Sequence, residues 1–166
     1  MTYRLWRFRL WRFRPALTPR QRIVKWARWG VKNTARIHYS EGPERGYWLQ
    51  TPRTGRLLPL TTDCSGFATF CYRQAKLPDP NGLGYKTLGY TWTLLDNAQH
   101  HGHILGVEHA RPGDLIVYGP GAGEHVAIIV KAGKDPLTVS HGDESGPELV
   151  RVSQDGRQPQ RVCRYL

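Results

Sequence analysis

Thr61 to Phe70, read as TTDCSGFATF, is the stretch on which the fold turns, because it sets a cysteine where a polar segment passes into the first turn of a helix. Asp63 is suited to the N-cap position, its carboxylate accepting a backbone N–H of the first turn. Phe67, Phe70 and Cys71 recur at the spacing of one buried helical face. Cys64 then lies at a helix N-terminus, where unsatisfied N–H groups and the helix dipole favour thiolate over thiol. Gly66 leaves room for a substrate backbone to approach. The competing reading is plain: a single cysteine in an apolar run is commonly a buried packing residue.

The weight shifts to chemistry about sixty residues on. Arg111-Pro112-Gly113-Asp114 opens the run LIVYG, and after the turn PGAGE comes HVAIIV, His125 to Val130. Two β-rich runs across a Gly-rich connection predict an antiparallel hairpin. Alternation puts His125, Ala127 and Ile129 on one face, with the histidine ring pointing where the apolar side chains point. A further run, LTVSHG from Leu137, ends in His141, with Leu137, Val139 and His141 sharing a face. A cysteine at a helix start and polar residues at two strand ends are the parts of a nucleophile, base and orienter set.

DCSGF, RPGDLIVYG, HVAIIV and SHG, in that order, resemble the NlpC-type cell-wall peptidases, papain-like cysteine hydrolases of peptidoglycan. The resemblance covers roughly residues 23 to 166. Through LPDPNGLGY from Leu77 and VSHGDESGP from Val139 the chain also looks like peptidase domains of actinobacteriophage lysins and tail proteins. The resemblance implies an α+β, papain-like fold with N-terminal helices packed on an antiparallel sheet of about five to six strands. It implies Cys64 as nucleophile, His125 as general base and His141 as the residue that orients it. Tyr39 matches an upstream tyrosine near the sulfur, with Tyr47 as a second candidate, and Tyr39, Asp63 and Ser65 are the expected oxyanion and substrate contacts. The implied reaction is hydrolysis of a stem-peptide amide, with no cofactor and no metal. Asp143 is either a nearby carboxylate for the histidine pair or a solvated turn residue. Two other functions stay open: an N-acetylmuramoyl-L-alanine amidase or acyltransferase using the same residues, and a non-catalytic structural component of a phage tail.

With 166 residues, 39% of them hydrophobic and including six Trp, the chain suits a single core. Its net charge of +11 is unevenly spread: residues 1–40 hold eleven Lys and Arg and no acid, while the remainder is balanced. Two domains follow, a basic aromatic arm at residues 1–18 and a peptidase domain at 19–166. The arm repeats LWRFR from Leu5 and from Leu10, and on a helix Trp6, Leu10, Phe13 and Leu17 align. Such a segment lies on an anionic surface through apolar burial plus charge. Three partners compete for Arg4–Arg14: an anionic membrane or wall polymer, phage structural proteins and, least favoured, nucleic acid. The segment is not a secretory signal, and nothing in the chain is long enough to span a bilayer. The expected setting is synthesis in a host cytoplasm and action at the bacterial cell wall, with a place in the virion as a further expectation.

Elsewhere the signals are local. Thr18-Pro19-Arg20-Gln21 predicts a capped helix start, with Ile23, Trp26, Ala27, Gly30 and Val31 as its apolar face. Residues 40–62 predict a long ordered loop with a short hairpin, forming a wall of the cleft. Tyr85, Tyr90 and Trp92 serve either packing or stacking on a sugar or stem peptide. Tyr90 to His101 predicts a short helix ended by Gly102. His100, His101, His103 and His109 lack a carboxylate or thiol partner at zinc spacing, so metal binding is not expected. Runs at Leu115, Val126, Leu137, Leu149 and Val162 predict an antiparallel meander. Three cysteines with no pairing logic predict no disulfide framework.

Overall fold

A computed structural model describes residues 15–53, 55–142 and 145–166. The arm at Arg4–Arg14 and the carboxylate of Asp143 lie outside the described residues. Helix α1 (Pro19–Lys32) starts as its capping box dictates: Gln21 N–H donates to the Thr18 hydroxyl at 3.3 Å, and Thr18 N–H donates to Gln21 Oε1 at 2.9 Å. Strand β1 (Ile37–Tyr39) follows, then a 3₁₀ segment (Pro43–Gln50) and strand β2 (Leu60–Thr62). The expected hairpin in this region is instead a parallel pair, with Tyr39 opposite Thr62. The 3₁₀ segment and the loop after it provide the length that a parallel connection needs.

Helix α2 (Cys64–Gln74) is the central element. It is buried on nearly every side rather than on one face, because α1 covers it from one direction and the sheet from the other. Gly30 of α1 makes the close crossing possible: a Cβ there would sit 2.3 Å from Phe67 Cζ. Trp26, Trp29 and Trp48 pack around Phe70, so three of the six tryptophans in the chain belong to this helical layer.

The rest of the chain builds one six-stranded antiparallel sheet. Helix α3 (Thr91–His101), ended by Gly102, leads into β3 (His103–Leu105), and β4 (Leu115–Tyr118), β5 (His125–Lys131), β6 (Leu137–Ser140) and β7 (Glu148–Arg151) follow. A single helical turn, α4 (Val152–Asp155), then leads to β8 (Gln160–Arg164). The spatial order is β3-β8-β4-β5-β6-β7. Strands β4 to β7 are the expected meander, but β8 returns to lie between β3 and β4. Strand β3 was not legible in the sequence.

Both faces of the sheet are covered. Leu115, Val117, Val126, Ile128, Val130 and Val139 face the helices, while Ile116, Tyr118, Ala127, Ile129 and Val162 form a second cluster with Ala110 and Val152. Asp114, the acid of the RPGD motif, fastens the edge of this arrangement. Its buried carboxylate accepts from Arg20 of α1 at 2.6 Å and from Arg164 of β8 at 2.7 Å, and takes the Arg111 N–H at 2.9 Å. The three cysteines are free and buried.

Candidate active site

Cys64 is the first residue of α2, and the helix start is held by polar contacts. Asp63 caps it, accepting the Gly66 N–H at 2.6 Å. That carboxylate also binds Arg45 Nη1, and the Ser65 hydroxyl donates to it at 3.1 Å. Arg45 comes from the 3₁₀ segment, is itself buried, donates to the Gly89 carbonyl at 3.3 Å and lies 4.1 Å from the centre of the Tyr90 ring. The sequence reading missed Arg45, since its partner lies eighteen positions away and only the folded chain joins them. Gly66 has a different role from the expected one: a Cβ there would meet Thr62 Oγ1 at 2.2 Å and Asp63 Oδ1 at 2.8 Å. The crowding of the helix cap by itself requires glycine here.

An open cleft of about 260 Å³ exposes this helix start, lined by Tyr39, Glu41, Arg45, Asp63, Cys64, Ser65, Tyr90, Thr91 and Glu124. The expected contacts Tyr39, Asp63 and Ser65 therefore all share this cleft with Cys64. Of the two upstream tyrosines, Tyr39 reaches this cleft and Tyr47 lines a neighbouring groove. The Tyr39 hydroxyl donates to Glu41 Oε1 at 2.8 Å. Burial and that acceptor hold its proton on well above the ordinary tyrosine range.

Cys64 is 8% exposed. Burial, with the charge of Asp63 next, pushes its thiol up to about 12, against the opposing pull of the Val126 and Ser65 N–H groups and of Arg157. Against the expectation of a thiolate at the helix N-terminus, desolvation here outweighs the N–H groups that face the sulfur. At neutral pH the sulfur rests as a thiol.

Two buried histidines stand at the same end of the sheet. His125 begins β5, and its neighbour Val126 is the residue whose N–H points at the sulfur. Its ring stacks on Tyr118 at 5.8 Å and its Nε2 lies 2.9 Å from Ser140 Oγ. It thus lies on the face of Ala127 and Ile129, as expected, but that is the face turned away from α2. Ser140, a partner of the ring, was not singled out in the sequence, although it directly precedes His141 in SHG. His141 lies on the α2 side, with its Nε2 3.1 Å from the Thr62 carbonyl and its ring 5.4 Å from Tyr39 and 5.6 Å from Phe67. It packs against the Tyr39 wall of the cleft. The structure therefore groups Cys64, Tyr39, Asp63 and Ser65 in one opening, with His141 behind Tyr39 and His125 at the adjoining strand end.

Comparison with known proteins identifies the fold and the family. Among solved structures the chain is similar to RipD of Mycobacterium tuberculosis, described as a non-catalytic NlpC/p60 domain protein adapted to peptidoglycan binding, at 22% identity and a TM-score of 0.56, covering 91% of this chain and all of that one. It is similar to the P60 domain of antigen MAP1204 from M. avium subspecies paratuberculosis, at 20% identity, a TM-score of 0.54 and coverage of 89% and 94%. The NlpC/p60 domain of the peptidoglycan hydrolase SagA matches at 21% identity, with a TM-score of 0.52 and coverage of 88% and 98%. No curated protein matches the chain. These likenesses establish the NlpC/p60 fold. The model of the CHAP domain family matches residues 53–143, more than half of the chain and the whole span from the loop before Cys64 to just beyond His141, so the chain belongs to the CHAP domain family.

Proposed function

We propose that the protein is a peptidoglycan hydrolase, a cysteine endopeptidase that cuts an amide bond of the stem peptide. The observation that carries this reading is Cys64 at the capped start of α2, opening into a cleft with Tyr39, Asp63 and Ser65, in a fold whose β5 begins with a buried histidine next to the residue that points its N–H at the sulfur. His125 is the proposed general base: it begins β5 beside Val126, whose N–H points at the sulfur, and its imidazole takes the proton of Cys64 as the sulfur attacks the scissile carbonyl. His141 is the third member, fixing the end of β2 through the Thr62 carbonyl and the wall at Tyr39. The oxyanion is met by the Cys64 N–H and by the Tyr39 hydroxyl once it leaves Glu41. His125 returns the proton to the leaving amine, the C–N bond breaks, and water then releases the acyl group from the sulfur. A neutral thiol at rest fits this sequence, since charge separates only as attack begins.

The amidase and acyltransferase readings use the same atoms and differ in the bond cut. A binding-only reading has one observation in its favour, the strongly raised Cys64 thiol. The phage setting rests on the lysin-like segments alone. The arm at residues 1–18 is proposed to hold the enzyme to an anionic wall polymer or membrane. The chain and its Cys64→Ala variant, incubated with purified peptidoglycan and analysed by mass spectrometry, test the whole reading. New amine and carboxylate termini within stem peptides are expected from the parent only, with losses of several powers of ten in the variant. Equal digestion by both removes Cys64 from the mechanism, and no digestion by either favours the binding-only reading.

A further inference from the structure

Among the described residues, every exposed tyrosine and tryptophan belongs to the segments around the cleft: Tyr39, Tyr47, Tyr90 and Trp92, at 37, 62, 53 and 54% exposure. Tyr39 and Tyr90 line the cleft itself, and Trp92 follows Tyr90 in the first turn of α3. Tyr47 lines a second groove of about 190 Å³ with Glu44, Trp48, Arg56, Leu60 and Thr61. The two openings adjoin. Thr61 in one and Asp63 in the other are two positions apart in an extended segment, which spans about 7 Å. Glu44 and Arg45, adjacent in the 3₁₀ segment, face one groove each.

The chemistry of the second groove selects its ligand. Drug-sized sites begin at about 300 Å³, so this one takes a single ring. One carboxylate and one guanidinium cancel in charge, which disfavours an ionic ligand. The Ser40 hydroxyl bonds Glu44 and holds its carboxyl below the usual range, so the acceptor stays ionised. What remains is an aromatic wall, with Glu44 as acceptor, Arg56 as donor and Thr61 as both. A neutral ring with apolar faces and a rim of hydroxyl and amide groups satisfies all of these together.

We infer that the Tyr47 groove is a sugar subsite, in which a glycan-strand amino sugar stacks on Tyr47 while its attached stem peptide runs into the cleft at Cys64. The inference rests on the hydrolase reading for the identity of the polymer. At about 3.4 Å per extended residue, the spacing of the two openings puts the sugar two to three residues from the bond at the sulfur.

The test measures binding rather than cleavage, in full-length chain carrying Cys64→Ala, by calorimetric titration with a disaccharide-bearing stem peptide and with the same peptide lacking sugar. The sugar-bearing ligand is expected to bind about tenfold more tightly, the worth of one well-stacked ring. Adding Tyr47→Ala removes that advantage, and Tyr47→Trp retains it; Tyr47 is exposed, so neither change threatens the fold. Equal affinity for the two ligands, or an advantage that survives Tyr47→Ala, overturns the subsite. Digestion of both ligands by the parent chain is scored separately. Sugar-dependent binding without cleavage leaves the groove standing and ends the hydrolase reading, whereas cleavage with no sugar advantage does the reverse.

Discussion

Removing Arg45 should slow the reaction of Cys64 although the two side chains have different tasks. Arg45 and Asp63 are each 6% exposed and form a buried ion pair at the cap of α2. Arg45→Met leaves the carboxylate buried without its counter-charge, a change that costs about 3–5 kcal/mol of stability. It also leaves the Asp63 charge unopposed beside a sulfur that this charge already disfavours as thiolate. A close unit charge moves a neighbouring group by about one unit or more, so the thiolate fraction at neutral pH falls about tenfold. The assay is the rate of alkylation by iodoacetamide as a function of pH. Cys71 and Cys163 are fully shielded at 0% exposure, so Cys64 is the thiol that reacts in the folded chain. Arg45→Lys keeps the charge and should lose little. Arg45→Met combined with Asp63→Asn removes both charges while asparagine retains the cap, and should restore a rate near that of the parent. An unchanged alkylation profile in Arg45→Met, or no rescue in the double variant, refutes the electrostatic argument even if hydrolysis is lost.

Alkaline pH should unfold the chain through its thiols. Cys64 and Cys163 are both raised from 9.0 to about 12 by burial. The unfolded chain loses these protons first, so stability is fully present below pH 9 and falls toward pH 12, by up to about 1.4 kcal/mol per pH unit for each thiol. Thermal melts across that window should show the decline, and Cys163→Ala should remove its share of the slope. Asp114→Ala leaves Arg20 and Arg164 without their shared carboxylate and should cost about 3–5 kcal/mol in chemical denaturation, a loss that a surface acid such as Glu108 would not reproduce. Deleting residues 1–15 should leave cleavage of soluble muropeptides intact while weakening retention on whole walls, with the difference shrinking as salt rises. Loss of cleavage on soluble substrate would instead assign the arm to the catalytic fold.

What the sequence disclosed about this site was whatever local geometry determines. The Thr18 capping box and the Asp63 cap were legible because donor and acceptor lie within one helical turn. Arg45 was not, because its value comes from a contact between the 3₁₀ segment and the helix start. The choice between Tyr39 and Tyr47 depended on the parallel pairing of β1 with β2, which sets Tyr39 opposite Thr62, two positions before the nucleophile. Parallel pairing across a twenty-residue connection leaves no signature in the residues themselves. In the same way, the run around Val162 reads as a strand but does not say that it will lie between β3 and β4.

The histidines show where alternation stops being informative. LIVY and HVAIIV are apolar at successive positions because both faces of the sheet are buried, one under the helices and one under the second cluster. Period two then says that His125 travels with Ala127 and His141 with Val139, but not which of these faces receives α2. The structure puts His141 on the helix side and His125 on the other. A nucleophile at the sheet interior could use only one of them. Cys64 stands near the start of β5, where the Val126 N–H points at its sulfur. The position of the helix start along the sheet, rather than the polarity of either face, is therefore what sets how near each histidine lies to the cysteine.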